Sequence, residues 1–162
     1  MVFDFKKEYK ELYKLKAKPS IINVEKANFI AVRGVGDPNA ENSEYKQSIS
    51  LLYPIAYAIK MSKKGDYQID GYFDFVVPPL EGFWWQEGIK GVDYANKQNF
   101  HFISLIRMPD FVTKEVFELS LIHIFELTNG NLSSKALKKL TKSNLSRLMI
   151  QPFAKISSVF IL

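Results

Sequence analysis

The sequence predicts an α+β protein, an antiparallel sheet with helices on one face, and three observations carry that expectation. Runs rich in β-branched and aromatic residues at 28–34, 67–77 and 100–108 are each closed by Gly, Pro, Asn or Asp clusters. Between the first two lies a stretch whose apolar residues recur at three and four, the period of a helix. The 162 residues are 47% hydrophobic and contain no cysteine, so a core forms by burial alone, without disulfides.

Residues 1–20 open as a charged amphipathic lead-in. Phe5, Tyr9, Leu12, Tyr13 and Leu15 share one helical face, and Pro19 stops the helix. Residues 28–34 form a strand that ends in the turn formers Gly34-Val35-Gly36-Asp37-Pro38-Asn39. From Asn42 the period changes. Tyr45, Ile49, Leu52, Ala56 and Ile59 define a core helix over about 43–63, capped by Asn42 or Ser43 and terminated by Gly65. Pro54 removes a donor in its middle and predicts a kink. Residues 67–77 read as a strand that Pro78-Pro79 halts, and Gly82 lets the next loop turn. The second long strand, 100–108, is expected to pair antiparallel with 67–77. Thr113 then caps a helix, with Glu115 and Glu118 near its positive end. Residues 119–124 are apolar and β-prone, an unsuited continuation of that helix. Helical spacing returns over 133–149 through Leu137, Leu140, Leu145 and Leu148.

Charge divides the chain. Residues 1–118 hold 16 Lys+Arg against 16 Asp+Glu, whereas 119–162 hold 6 against 1, so the net +5 belongs to the last quarter. Both tryptophans and all eight tyrosines precede the same boundary. The basic stretch 135–142 has the makings of a helix that touches acidic membrane or nucleic acid, but a charge run usually reads as a solvated face, so neither partner is expected. The N-terminus lacks the apolar core of a signal peptide and no run approaches the roughly 20 apolar residues of a span, which points to the cytoplasm.

The segment 71–85 concentrates the chemistry. It runs from an apolar strand through two prolines to a lone carboxylate, Glu81, and then to Trp84 and Trp85, as expected of an aromatic pocket around one polar group. Partial burial among Leu80, Phe83 and the tryptophans would raise the pKa of Glu81 and suit it to proton transfer or to a cationic ligand. The alternative is a carboxylate that shapes the turn by accepting backbone hydrogen bonds. Trp84 and Trp85 are adjacent, so in extended chain they face opposite ways; Trp85 is the expected ligand wall, with packing the alternative for both. Tyr53 and Tyr57, four apart, share a helix face beside Pro54 and offer a hydroxyl, or simply edge the core. Phe73 and Phe75 share a strand face, in a groove or in the core. With only His101 and His123, no histidine-based metal site is assembled, and Gly34-Val35-Gly36 lacks the rest of a dinucleotide loop.

Residues 9–118 resemble the GyrI-like small-molecule-binding domain family. The motifs are Gly36-Asp37-Pro38-Asn39, the stretch from Leu51 through Tyr53, Pro54 and Tyr57 to Lys60-Met61-Ser62-Lys63, the stretch from Val77 to Trp85, and that from Ile106 to Thr113. The resemblance implies two strand-helix-strand-strand modules with ligand in the groove between them. It implies Phe75 and Val77 as groove floor and Tyr53 and Glu81 as catalytic candidates. Family members bind small hydrophobic or cationic molecules, inhibit DNA gyrase by protein–protein contact or, in a stand-alone bacterial subgroup, hydrolyse cyclopropane-containing toxins. No helix-turn-helix precedes the domain, which fits the stand-alone type, and the implied function needs no cofactor. Two departures stand out. Phe100-His101-Phe102 occupies positions where tryptophans are usual, and after Glu118 the rest of the second helix and a strand pair bearing a further acidic residue, itself a candidate for the essential one, are missing, leaving the second module incomplete. Residues 119–124 read as the translation of a transposon-end adapter. The expected organisation is therefore an incomplete GyrI-like domain over 1–118 and an atypical basic tail over 119–162 of foreign or frame-shifted sequence.

Overall fold

A computed structural model describes residues 2–14, 20–22, 24–65, 68–129, 148–153 and 159–161. In chain order the elements are β1 (Phe3–Asp4), the helical turns α1 (Phe5–Glu8) and α2 (Lys10–Tyr13), β2 (Ser20–Ile22) and β3 (Ala27–Val35). Helix α3 (Glu44–Met61), β4 (Phe75–Val76), β5 (Glu81–Trp85), β6 (His101–Met108), α4 (Lys114–Asn129), β7 (Leu148–Phe153) and β8 (Val159–Ile161) follow. Four strands form an antiparallel sheet in the order β5-β6-β3-β7, with α3 and α4 packed against each other and the core on its α3 side. Two short ladders stand apart, β1 with β4 in parallel and β2 with β8 antiparallel.

The two central strands read as nearly continuous apolar runs because both of their faces are covered. Ile30 and Val32 of β3 join Ile106 and Met108 of β6 against α3, whereas Phe29 and Ala31 join Leu105 on the reverse face. Helix α3 buries Leu51, Leu52, Ile55, Ala56 and Ile59 at helical spacing against the first group. Leu52, with no exposed surface, contributes about 1.5–3 kcal/mol by burial alone. Ser43 caps the helix as expected, its Oγ accepting from the Lys46 N–H at 3.2 Å. Ser48 sits in the buried stripe; its hydroxyl donates to the Tyr45 carbonyl at 2.7 Å and meets Ser104 Oγ of β6 at 2.9 Å. That contact registers helix on sheet. The helix passes through Pro54 without ending, and Gly65 does not terminate it: a 3-10 turn, Ser62–Lys64, follows, and Gly65 is extended at φ −106°.

Several sequence expectations are corrected. The lead-in is two single turns meeting at Tyr9, while Leu15 and Pro19 lie outside the described residues. Among the described residues of the strand expected at 67–77, only Phe75–Val76 forms one, and it pairs with β1 rather than with 100–108. Within the segment, Gly71 turns the chain at φ +72° and Tyr72 N–H bonds back to Ile69 O. The antiparallel partners of β6 are β3 and, at the sheet edge, β5, which resumes extended chain after the prolines where a loop was expected. An edge strand needs a ladder on one side only, so five residues suffice. Helix α4 starts after Thr113, whose Oγ1 accepts from Val116 N–H, and continues through 119–124. Phe117, Ser120 and Ile124 are buried along one side, so tertiary burial overrides β-propensity there. Leu148 and Met149 belong to β7, not to a helix, and residues 133–147 lie outside the described residues. No described helix is long and apolar enough to cross a membrane.

Candidate functional site

Strand register decides which side chains of β5 face where. Gly82 and Trp84 pair with Ser104 and Phe102, and Ser104 is the residue bonded to α3, so these two turn toward the helix. Glu81, Phe83 and Trp85 pair with Leu105, Ile103 and His101 and occupy the opposite face. Trp84 packs among Tyr45, Phe100 and Phe102 at ring separations of 5.0, 6.2 and 5.2 Å. Trp85 stacks on the His101 ring at 5.5 Å. The two tryptophans do face opposite ways.

Glu81 is half-buried, and its partner arrives from the N-terminal segment. Tyr13 Oη–H donates to Glu81 Oε1 at 2.8 Å. On the same face, two residues beyond Leu105, Arg107 is 6% exposed. Its guanidinium carbon lies 3.9 Å from the centre of the Tyr9 ring and 5.3 Å from that of Phe5. Phe5 and Tyr9 are themselves stacked at 6.2 Å. Residues 2–14 thus form a strap that delivers three aromatics, spaced four apart, to the Glu81 end of β5. Its start is tied down by the β1–β4 bridge, Phe3 N–H donating to Asp74 O at 2.9 Å.

Burial pushes the Glu81 carboxyl above its ordinary value of 4.5; the Tyr13 hydrogen bond and the Arg107 charge oppose this without cancelling it. Burial, then the charge and hydrogen bond of Glu81, push the Tyr13 hydroxyl well above the usual phenol range, with Arg107 opposing. Tyr13 therefore stays a protonated donor at neutral pH. The result is a carboxylate made more basic by a dry setting and held by one hydroxyl, suited to accept a proton from a bound molecule or from water.

At the other end of β5 an apolar cavity of about 230 Å³ is lined by Pro38, Trp84, Trp85, Val92, Tyr94 and Phe100. Its loop wall is fixed by buried Gln86. The Gln86 side-chain amide donates to Asp93 O and Asn96 O at 3.0 Å each, and its oxygen accepts from Asp93 N–H at 2.6 Å. Glu81 and Trp85 lie four strand residues apart, roughly 13 Å at strand rise.

Glu81 and Trp85 thus share a face. Tyr53 and Tyr57 do not join them; they sit on α3, behind the sheet, with rings 6.5 Å apart and Tyr57 51% exposed. Phe75 is fully buried against Phe5 and Phe111, half-exposed Phe73 packs on Phe3 and Phe111, and Val77 borders the core. Sequence reasoning missed Tyr13, Tyr9 and Arg107. The signals were an aromatic stripe in the lead-in and a lone cation inside an apolar strand. Among the described residues no group of three or more His, Cys, Asp or Glu stands ready for a metal.

Fold and site together define an α+β protein with a hydroxyl-held carboxylate on the sheet face opposite its core helix. No protein-family model and no curated protein matches the chain. Solved structures do. A hydrolase from Listeria innocua is 42% identical, with a TM-score of 0.78 over 95% of this chain and 67% of that one. A further hydrolase structure from that organism is 40% identical, with a TM-score of 0.74 over 94% and 66%. An uncharacterized conserved protein from Listeria innocua is 43% identical, with a TM-score of 0.75 over 94% and 67%. The chain belongs to the family of these Listeria innocua proteins, and it spans about two-thirds of their length.

Proposed function

We propose that the chain is a small-molecule-binding protein of the GyrI-like class, taking a small apolar or cationic ligand on the face that carries Glu81, Phe83 and Trp85. The observation that carries this reading is the meeting of Glu81 with Tyr13 and Arg107, from three separate elements, beside an aromatic surface. A half-buried carboxylate of raised basicity attracts a cation or an acidic proton, and Trp85 offers a ring face to a flat ligand. Titrating the protein with hydrophobic cations should quench tryptophan fluorescence and raise the melting temperature, with Glu81→Gln abolishing both. Ligands that leave both signals unmoved, or bind Glu81→Gln equally well, refute the reading.

The hydrolase descriptions of two relatives favour a second reading in which the same site does chemistry. Glu81 would take a proton from water as the water oxygen bonds to a strained, electrophilic ring carbon. The ring carbon–carbon bond breaks, and its electrons pass to the conjugated acceptor, which gains the proton. Tyr13, not Tyr53, is the hydroxyl at hand. Incubation with an electrophilic cyclopropane-bearing compound should give a product heavier by one water, and unchanged compound counts against it.

A further inference from the structure

Arg107 is expensive where it stands. A guanidinium withdrawn from water needs compensation, and an ion pair is the usual source. Among the described residues no carboxylate forms one with Arg107. What it has is the face of Tyr9 at 3.9 Å, the ring of Phe5 at 5.3 Å, a side-chain hydrogen bond with Tyr13 and the nearby charge of Glu81. Its ladder partner is Phe29, and Leu105 shares its face, so an apolar side chain would suit position 107 at least as well for stability. Packing does not account for the charge. The surroundings do: Glu81 from β5 and Tyr13 from the strap are the charged and titratable groups that both feel Arg107, and they are bonded to each other.

We infer that Arg107 is the positioning residue of the Glu81 site: seated on the Tyr9 ring, it sets the strap in the register that presents the Tyr13 hydroxyl to Glu81, and it balances the carboxylate's negative charge. Arg107 acts through its neighbours. The single turn between Tyr9 and Tyr13 makes this mechanical: Tyr9 caps α2 and Tyr13 N–H bonds back to Tyr9 O at 3.2 Å, so seating Tyr9 places Tyr13 one turn further on. A lysine would keep the charge and lose the flat face that seats on Tyr9. The inference rests on the reading of Glu81 as the working carboxylate.

The test is the titration of the Glu81 carboxyl, followed by carbon NMR on the full chain labelled at glutamate, in wild type, Arg107→Met, Arg107→Lys and Tyr9→Leu. Arg107→Met should move the Glu81 midpoint to higher pH, Arg107→Lys should restore part of the shift, and Tyr9→Leu should move it with the charge retained, up where the Tyr13 bond alone is lost and down where water reaches the carboxyl. A folded Arg107→Met that titrates Glu81 at the wild-type midpoint overturns the inference, since a merely structural arginine alters the urea midpoint alone. Should Arg107→Met not fold, Tyr9→Leu decides: an unmoved midpoint there overturns it. The titration needs no ligand. If it behaves as expected and hydrophobic cations still leave tryptophan fluorescence unchanged, the functional reading fails and this one stands.

Discussion

Replacing Tyr13 with Phe removes one oxygen and leaves the ring's packing in place. The lost bond is a 2.8 Å hydroxyl–carboxylate contact to a half-buried acceptor. Hydrogen bonds to charged groups contribute about 1.5–3 kcal/mol, neutral ones about 0.5–1.5. Tyr13→Phe should therefore cost about 1.5–3 kcal/mol at pH above the Glu81 midpoint, where the carboxyl is charged. Because the hydroxyl holds the Glu81 carboxyl down, its loss raises that group further. The cost should shrink by about half as pH falls through the Glu81 midpoint, where a neutral carboxyl replaces the anion. Urea unfolding followed by tryptophan fluorescence, repeated across the acid range, reads this directly as a change in midpoint at constant slope. A cost that is the same at every pH, or below about 0.5 kcal/mol at pH above the Glu81 midpoint, refutes the argument that Tyr13 serves the charged form.

Glu81→Gln has the opposite sign. The folded protein binds the Glu81 proton more tightly than the unfolded chain does, so this group's favourable contribution is complete below 4.5 and is lost as pH rises through the raised folded value. The variant should gain stability over wild type at neutral pH and lose that gain in acid; equal stability at all pH values counts against a desolvated carboxylate. Gln86→Ala should leave the fold intact and loosen the loop that walls the Trp84–Trp85 cavity, seen as faster exchange of the Asp93 amide. An exchange rate equal to that of wild type would show that the loop holds itself. The compositional break after Glu118 and the adapter-like 119–124 predict that the native coding sequence departs from this chain at that point. Sequencing the locus checks it, and an uninterrupted frame refutes it.

The sheet's central strands and α3 were legible because burial leaves a repeating mark: spacings of four and three over Leu52, Ala56 and Ile59, and apolar runs at 28–34 and 100–108. The edge strand was not. Residues 81–85 carry Gly82 beside a double proline, the composition of a loop, and only pairing with β6 makes them extended. Residues 119–124 were misread for the related reason that β-branched side chains are tolerated in a helix packed on one side. Glu81 stood out by its aromatic neighbours in sequence. Its real partners, Tyr13 and Arg107, lie far away in the chain and are joined to it by topology, which local patterns do not carry. Tyr53 and Tyr57 drew notice through their spacing and the family resemblance, and spacing says nothing about the side of the sheet on which a helix lies.

The strap has a kinetic corollary. Tyr13 and Glu81 are 68 residues apart, a loop closure comparable to that of the β3–β6 ladder, which joins Asn28 to Met108. The strap differs from the ladder in its attachment, a two-residue bridge and two single turns. The same thin attachment sets the order of release. Amides of residues 5–13 should exchange with solvent through local opening, well before those of β3 and β6, so that the chain passes through a folded state whose carboxylate is briefly without its partner.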